Sequence, residues 1–239
     1  MTRIFPVPSS DDASPVASRV KQKLAIVSTF DDLCGIAGYT RFLMKQLQHD
    51  FDVEVFDLDQ FFMRSTDRRV RKLADTMIKD FCKRARTFDF VNVQLEHGTL
   101  GRNARDIIRR FRRIAEAAPA LSVTFHTSFP REALDPHAIL RDLATFRVSK
   151  AWGKVRYHLH AKRMDTTFSG LLRKLSRRKP VNVIVHTRRD MRLMRYVNRL
   201  KSVYDHPLSF LGPAEAATLR ATTTRADIAG LASRPTPQS

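Results

Sequence analysis

The chain has 239 residues, 43% of them apolar, and 43 Lys and Arg face 24 Asp and Glu for a net charge of +19. That apolar share supports a packed core and excludes disorder over the whole length, while the charge calls for a polyanionic neighbour or a tolerance of self-repulsion. Two cysteines, Cys34 and Cys82, exclude a disulfide framework and a CxxC metal pair, which favours a reducing compartment.

Residues 1–20 hold Pro6, Pro8, Ser9, Ser10, Asp11, Asp12 and Pro15 but no apolar core, so they are expected to be a flexible leader rather than a secretory signal. No run of about 18 apolar residues exists to span a membrane. Residues 23–29 read as a buried strand, and Ile36 to about His49 has helical spacing after a Gly-bearing turn. Val53–Phe56 is a second strand, followed by Asp57-Leu58-Asp59. A basic helix is expected from Asp67 to Arg86, with Val70, Leu73, Ala74, Met77, Ile78 and Phe81 on one face. Strands follow at 90–95 and 121–126, separated by a helix at Asn103–Ala117, and a fifth strand lies at 181–186.

The long stretch between the last two strands reads as helix with breaks near Pro136 and Gly153. It exceeds what one crossover needs, so an extra helix or excursion is expected. Within it, Trp152–Arg178 interleaves Lys and Arg with Trp152, Val155, Tyr157, Leu159, Phe168, Leu171, Leu172 and Leu175. Such a stretch either docks on the sheet or lies on a membrane surface. Arg188 to Tyr204 reads as a helix, Pro207 and Pro213 mark an irregular connection, and the chain from about Thr222 is expected to fray. The alternation of strand and helix predicts an α/β, Rossmann-like three-layer domain with a mostly parallel sheet over residues 21–212, then a truncated interdomain connection or frayed tail over 213–239.

Four of the strands end in polar clusters, and strand carboxyl ends of an open parallel sheet share one edge, where ligands bind. The cluster after the first strand is Cys34-Gly35-Ile36-Ala37-Gly38-Tyr39-Thr40; its glycines permit close backbone approach, and a helix N-terminus favours a diphosphate. It is not a dinucleotide fingerprint, since only Gly35-x-x-Gly38 is present, and no P-loop occurs. Asp57-Leu58-Asp59 is better read as a solvated turn than as a metal-binding pair. His158 and His160 point apart on a helix and suit no metal. Glu96-His97 ends the third strand and His126-Thr127-Ser128 the fourth. Each reads either as a ligand to hydroxyl or phosphate oxygens or as a loop group satisfied locally, and the residues alone leave both open. His186 is assigned a structural role.

In their order and spacing, Leu24–Phe30, Cys34–Thr40, Val93–Gly98, Val123–Thr127 and Val183–Thr187 resemble the amino-terminal half of glycosyltransferase family 4 (group 1) enzymes. The resemblance implies GT-B architecture, two Rossmann-like domains facing across a cleft, of which this chain carries the acceptor-side one and lacks the second. It implies a retaining transfer of a hexose from a nucleotide sugar, the co-substrate, with no metal or other cofactor. Cys34, Gly35, Ile36 and Gly38 would approach the donor diphosphate, and His126 would be the catalytic residue beside the transferred sugar. Glu96, His97 and Thr127 would line the cleft. The implied partners are a glycan or lipid-linked acceptor, an anionic membrane surface for the basic Trp152–Arg178 stretch, and a missing carboxyl-terminal half on another chain. The expected location is cytoplasmic, peripheral to the inner face of the membrane.

The charge supports a different reading. Residues 141–201 alone carry 18 Lys and Arg against 3 acids. Together with Arg-rich helices at 64–86 and 102–113, they suit a basic nucleic-acid-binding module, although no helix-turn-helix, zinc-finger or RNP-like pattern appears. A non-catalytic glycosyltransferase-like subunit is the third reading.

Overall fold

The computed structural model describes residues 20–32, 34–96, 98–127, 135–208 and 217–218. The leader at 1–20 (Val20 apart) and nearly all of the tail at 213–239 lie outside the described residues, as do His97 and Ser128. The chain is α/β, with one six-stranded sheet in the order β2-β1-β3-β4-β5-β6, flanked by helices. The strands are β1 (Gln22–Ser28), β2 (Phe51–Asp57), β3 (Phe90–Leu95), β4 (Ala120–Phe125), β5 (Val181–Val185) and β6 (Val203–Asp205). All five pairings are parallel, with Leu24 opposite Phe90, Leu121 opposite Val181 and Val183 opposite Val203. The order reverses between β1 and β3, so the chain leaves these two neighbours in opposite directions and opens a crevice at their carboxyl ends.

The two faces differ in chemistry because side chains alternate along a strand. One face carries Ala25, Val27, Val91, Val93, Leu95, Leu121, Val123, Phe125, Val183, Val185 and Val203, all buried in the main core. Against it pack α2 (Gln60–Arg64), α3 (Arg68–Arg84), α4 (Ala104–Ala117), the inner half of α6 (Val148–Ser176) and α7 (Arg188–Arg192). The opposite face carries Asn92, Gln94, Ser122, Thr124 and Asn182, and α1 (Gly35–Leu47) is the described helix that lies on it, over β1 and β2.

The helices begin where their caps dictate. Asp67 accepts from Arg69 and Val70 N–H at the start of α3, and Asn103 accepts from Asp106 N–H at the start of α4. Lys179 reaches across to the carbonyls of Ala115 and Ala118 at the end of α4, where a cation complements the helix dipole.

Between α3 and α4 lies a buried ionic cluster. Arg110 is fully buried and donates from Nε to Asp75 (2.8 Å), from Nη1 to the carbonyls of Met63 and Leu100 (both 3.0 Å), and from Nη2 to Arg71 O (3.3 Å). Arg109 makes a two-point pair with Asp75 and also bonds Asp106, which Arg71 meets from α3.

Two expectations are corrected. The helix read from Arg188 to Tyr204 stops early: α7 widens into a π-turn at Leu193–Val197, Arg199 takes a left-handed φ of 56°, and the chain enters β6. The break placed near Gly153 does not occur, since α6 runs through that position unbroken. The break falls instead at Phe146, also at φ 56°, between α5 (Pro136–Ala144) and α6. The helix read from Ile36 begins at Gly35, so Gly38 sits inside α1 with its N–H bonded to Cys34 O. The short helix α2, begun by Asp59 accepting from Phe61 N–H, was not anticipated.

The outer half of the α5–α6 hairpin stands clear of the sheet and exposes Leu140, Leu143, Phe146 (94%), Trp152 (66%), Tyr157 and Leu159. Asp142 and Lys154 pin the two helices together at 2.6 Å. Among the described residues, no helix is long and apolar enough to cross a membrane.

Removing the Arg110 side chain leaves two buried carbonyls and Asp75 short of a donor. Arg110→Ala should therefore cost about 3–5 kcal/mol in urea unfolding, against under about 0.5 for Arg84→Ala at the surface. Burial alone would raise the Asp75 and Asp106 carboxyls, but hydrogen bonds from Arg110, Arg109 and Asn103 outweigh it and hold both below their ordinary 3.8. Their contribution is full above the unfolded value and is lost as pH falls through the folded one. The difference between wild type and Arg110→Ala should accordingly narrow below about pH 4, where carboxylates of the unfolded chain take up protons.

Candidate functional site

A cleft of about 380 Å³ opens at the β1/β3 reversal, lined by Thr29, Asp32, Cys34, Gly35, Ile36, Gln60, Arg64, Glu96, Thr99, His126 and Leu208. The topology gathers these groups. The loop after β1 is tied down by Asp57 at the end of β2, whose Oδ1 accepts from Phe30 N–H at 2.7 Å, while Asp59 caps α2. Both carboxylates of the Asp57-Leu58-Asp59 motif are thus committed to backbone N–H groups. Ser28 and Thr40 bond at 2.6 Å and lock the end of β1 to α1.

Cys34 is the N-cap of α1, extended at φ −129°, ψ 161°, and its side chain caps no N–H of the first turn. Its Sγ lies 3.4 Å from Thr29 Oγ1 instead. A helix directs its unpaired first-turn N–H groups out of its end, so this one presents partial positive charge to the cleft. Gly35 is open on its outer side, with nothing within 4 Å of where a Cβ would stand.

The opposite wall comes from α2 and the turn after β3. Gln60 Nε2 donates to Leu58 O (2.8 Å) and Thr99 O (3.2 Å), joining the two segments. Thr99 Oγ1 donates to Glu96 O at 3.0 Å and closes the turn, and Gly98 adopts a φ of 99° with Arg64 beside it. Thr127 Oγ1 donates to Glu96 Oε1 at 3.4 Å, so the third and fourth strand ends share a carboxylate.

His126 forms the floor. Its Nε2 lies 2.7 Å from Gln94 Oε1, and its Nδ1 lies 3.1 Å from His186 Nε2. His186 Nδ1 donates to the His206 carbonyl at 2.9 Å, and Tyr39 stands edge-on to both imidazoles, 5.1 and 5.6 Å between centroids. Burial first, and then the charge His186 carries when protonated, push His126 down from 6.5 to about 4. At neutral pH it is uncharged. With Gln94 Oε1 accepting, a neutral His126 holds its proton on Nε2.

Of the residues read from sequence, Cys34, Gly35, Ile36, Glu96 and His126 come together in this cleft, and Thr127 touches it through Glu96. Gly38 does not line it, and His97 lies outside the described residues. His186 lies behind His126 as a support. Thr29, Asp32, Gln60, Arg64 and Thr99 were missed. A cap signal at Asp59 followed by an aromatic turn would have placed Gln60 and Arg64 beside the strand ends. Among the described residues no group of three His, Cys, Asp or Glu is placed to hold a metal ion. No family model matches the chain, and no curated protein or solved structure matches it either.

The cleft therefore joins one guanidinium and a helix N-terminus, suited to an anion, to the carboxylates of Asp32 and Glu96, suited to hydroxyls. Below 6.5 the unfolded chain protonates His126 while the folded chain resists down to about 4, so this histidine subtracts stability as pH falls across that window. In ¹⁵N-detected NMR titration, His126 should remain neutral at pH 5. His186→Gln should raise its midpoint only part of the way to 6.5, because the burial that dominates the shift stays in place.

Proposed function

We propose that the chain is the acceptor-side domain of a nucleotide-sugar-dependent glycosyltransferase, transferring a hexose to a hydroxyl. The observation that carries this reading is the convergence of Cys34, Gly35, Ile36, Glu96 and His126 with Arg64 on one cleft at the sheet's reversal point. Those motif segments are the ones whose order resembles the amino-terminal half of family 4 glycosyltransferases. In the reaction, the bond from the anomeric carbon to the diphosphate oxygen breaks and a bond to the acceptor oxygen forms. The nucleoside diphosphate departs with the bonding pair, and its leaving oxygen takes up the acceptor proton. Arg64 and the α1 N-terminus would stabilise charge gathering on the diphosphate. Glu96 would accept a hydrogen bond from a sugar hydroxyl. His126, with both ring nitrogens engaged, would hold the sugar against a rigid wall and so act by positioning. A second Rossmann-like half would supply the facing wall, and retention of configuration rests on the resemblance alone.

Saturation-transfer NMR with UDP-, GDP- and ADP-sugars should show millimolar binding of one class. Arg64→Ala and Glu96→Gln should each weaken it about five- to tenfold, the worth of one charge-assisted hydrogen bond. Binding of none of the three would overturn the reading. A nucleic-acid reading draws instead on a groove of about 550 Å³ lined by Lys79, Lys83, Arg86 and Arg113 beside Glu116. Steeply salt-dependent RNA or DNA binding that is lost on neutralising those four would favour it.

The acceptor would be lipid-linked, reached by the α5–α6 hairpin. There Trp152, Tyr157 and Leu159 are exposed among Lys150, Lys154, Arg156, Lys162 and Arg163. Trp152 is the single tryptophan, so its emission reports the encounter. Anionic vesicles should shift it to the blue and neutral ones should not, and high salt should reverse the effect. An unchanged spectrum with anionic vesicles would remove the membrane from the proposal.

A further inference from the structure

At the carboxyl ends of β3 and β4 a second, much smaller cavity opens on the apolar side of the sheet. It measures about 10 Å³ and is lined by Leu95, Ile107, Phe125, Met164 and Phe168, with Glu96 and Thr127 at its polar end. Leu95 and Phe125 are register partners on the two strands. Ile107 comes from the first turn of α4, and Met164 and Phe168 stand one turn apart on α6. All five apolar side chains are buried, and the Phe125 and Phe168 rings meet edge to face at 6.4 Å between centroids. Glu96 also lines the 380 Å³ cleft, so slot and cleft adjoin at this carboxylate.

Size and chemistry restrict the occupant. The volume is close to what one water needs, but a buried water wants about two to four polar partners, and five of the lining side chains offer none. A single methyl group suits it better, and a ring or an acyl chain is too large. At the polar end Thr127 Oγ1 donates to Glu96 Oε1 at 3.4 Å. That is long for a hydroxyl on a carboxylate, where about 2.5–2.7 Å is usual. Each group therefore keeps capacity for a shorter bond, the carboxylate to a donor and the hydroxyl to an acceptor. A methyl flanked by one N–H and one carbonyl is an acetamido group. A 6-deoxy sugar brings a methyl without the amide, and a methyl ether brings no donor.

We propose that the slot is a subsite for the N-acetyl group of an acetamido sugar held in the cleft. The methyl lies between Met164 and the two phenylalanine rings, the amide N–H donates to Glu96, and the carbonyl accepts from Thr127. A carboxylate has two oxygens, so Glu96 can still accept from a neighbouring sugar hydroxyl. The inference rests on the sugar-binding reading of the cleft and narrows it to a class of sugar.

The test compares free sugars on the full chain by saturation-transfer NMR. N-acetylglucosamine or N-acetylgalactosamine should bind about five- to tenfold more tightly than glucose or galactose, the worth of one buried methyl and one hydrogen bond. With the methionine methyls ¹³C-labelled, the acetyl methyl should show an intermolecular NOE to Met164, assigned by its loss in Met164→Leu. Thr127→Val sits at an exposed position, leaves the core intact and should cut the preference about threefold. Met164→Ala widens the slot and should turn the preference from N-acetyl to N-butanoyl glucosamine, which a purely structural methionine would not do. Equal binding of acetamido and parent sugars, or binding of none of them, would overturn the proposal. So would a preference without the Met164 contact, or fucose bound as tightly as the acetamido sugars. Acetamido preference with that contact, in a chain that binds no nucleotide sugar, would keep the subsite and remove the transferase reading, so the two fail separately.

Discussion

The fully buried guanidinium of Arg110 is the constraint on which the cleft depends. One nitrogen donates to Met63 O at the end of α2 and to Leu100 O in the turn after β3, while Nε holds Asp75 on α3. Those two carbonyls belong to the segments that carry Gln60 and Arg64 on one side and Glu96 and Thr99 on the other. A buried cation is tolerated only when every donor finds an acceptor, and here two of the acceptors are backbone carbonyls of the cleft's outer wall. The wall is therefore placed by a side chain rooted in α4, well away from the ligand space itself.

A second constraint comes from the polar side of the sheet. Asn92, Gln94, Ser122 and Thr124 bond across β3 and β4, and Gln94 passes the chain to His126, then His186, then the His206 carbonyl. Each member fixes the next one's donor and acceptor roles. That is why burial leaves His126 neutral at a defined position instead of simply destabilising it. The same chain explains how β6, three residues long, is held: its exit carries the terminal acceptor.

Much of this was legible. The strands announced themselves as short apolar runs, and their polar ends did converge on one edge, because a parallel sheet leaves them no other. What misled was the placement of breaks. Phe146 and Arg199 turn the chain in the left-handed region where glycine is expected, while Gly153 sits in unbroken helix with open space around it. Tertiary contacts decide such cases: Arg195 donates to Val203 O and Arg173 to Asn198 O, drawing the chain into β6 against the local helical pattern. Arg64 and Gln60 were hidden because their place depends on Arg110, a long-range contact that no local spacing reveals.

The alternation inside the runs held more than it first yielded. Val91-Asn92-Val93-Gln94, Ser122-Val123-Thr124 and Val181-Asn182-Val183 place polar residues at every second position. A parallel strand buried equally on both faces is close to continuously apolar, so this period of two marks a face that helices cover poorly. The basic balance fits the same picture. Most of the excess charge lies between 141 and 201, on the far-side hairpin and the helix that follows it, and little of it reaches the cleft, where Arg64 faces Asp32 and Glu96. A cleft so nearly balanced selects by hydrogen-bond geometry, and the strongly positive surface acts separately, drawing the domain toward a polyanion without deciding what the cleft accepts.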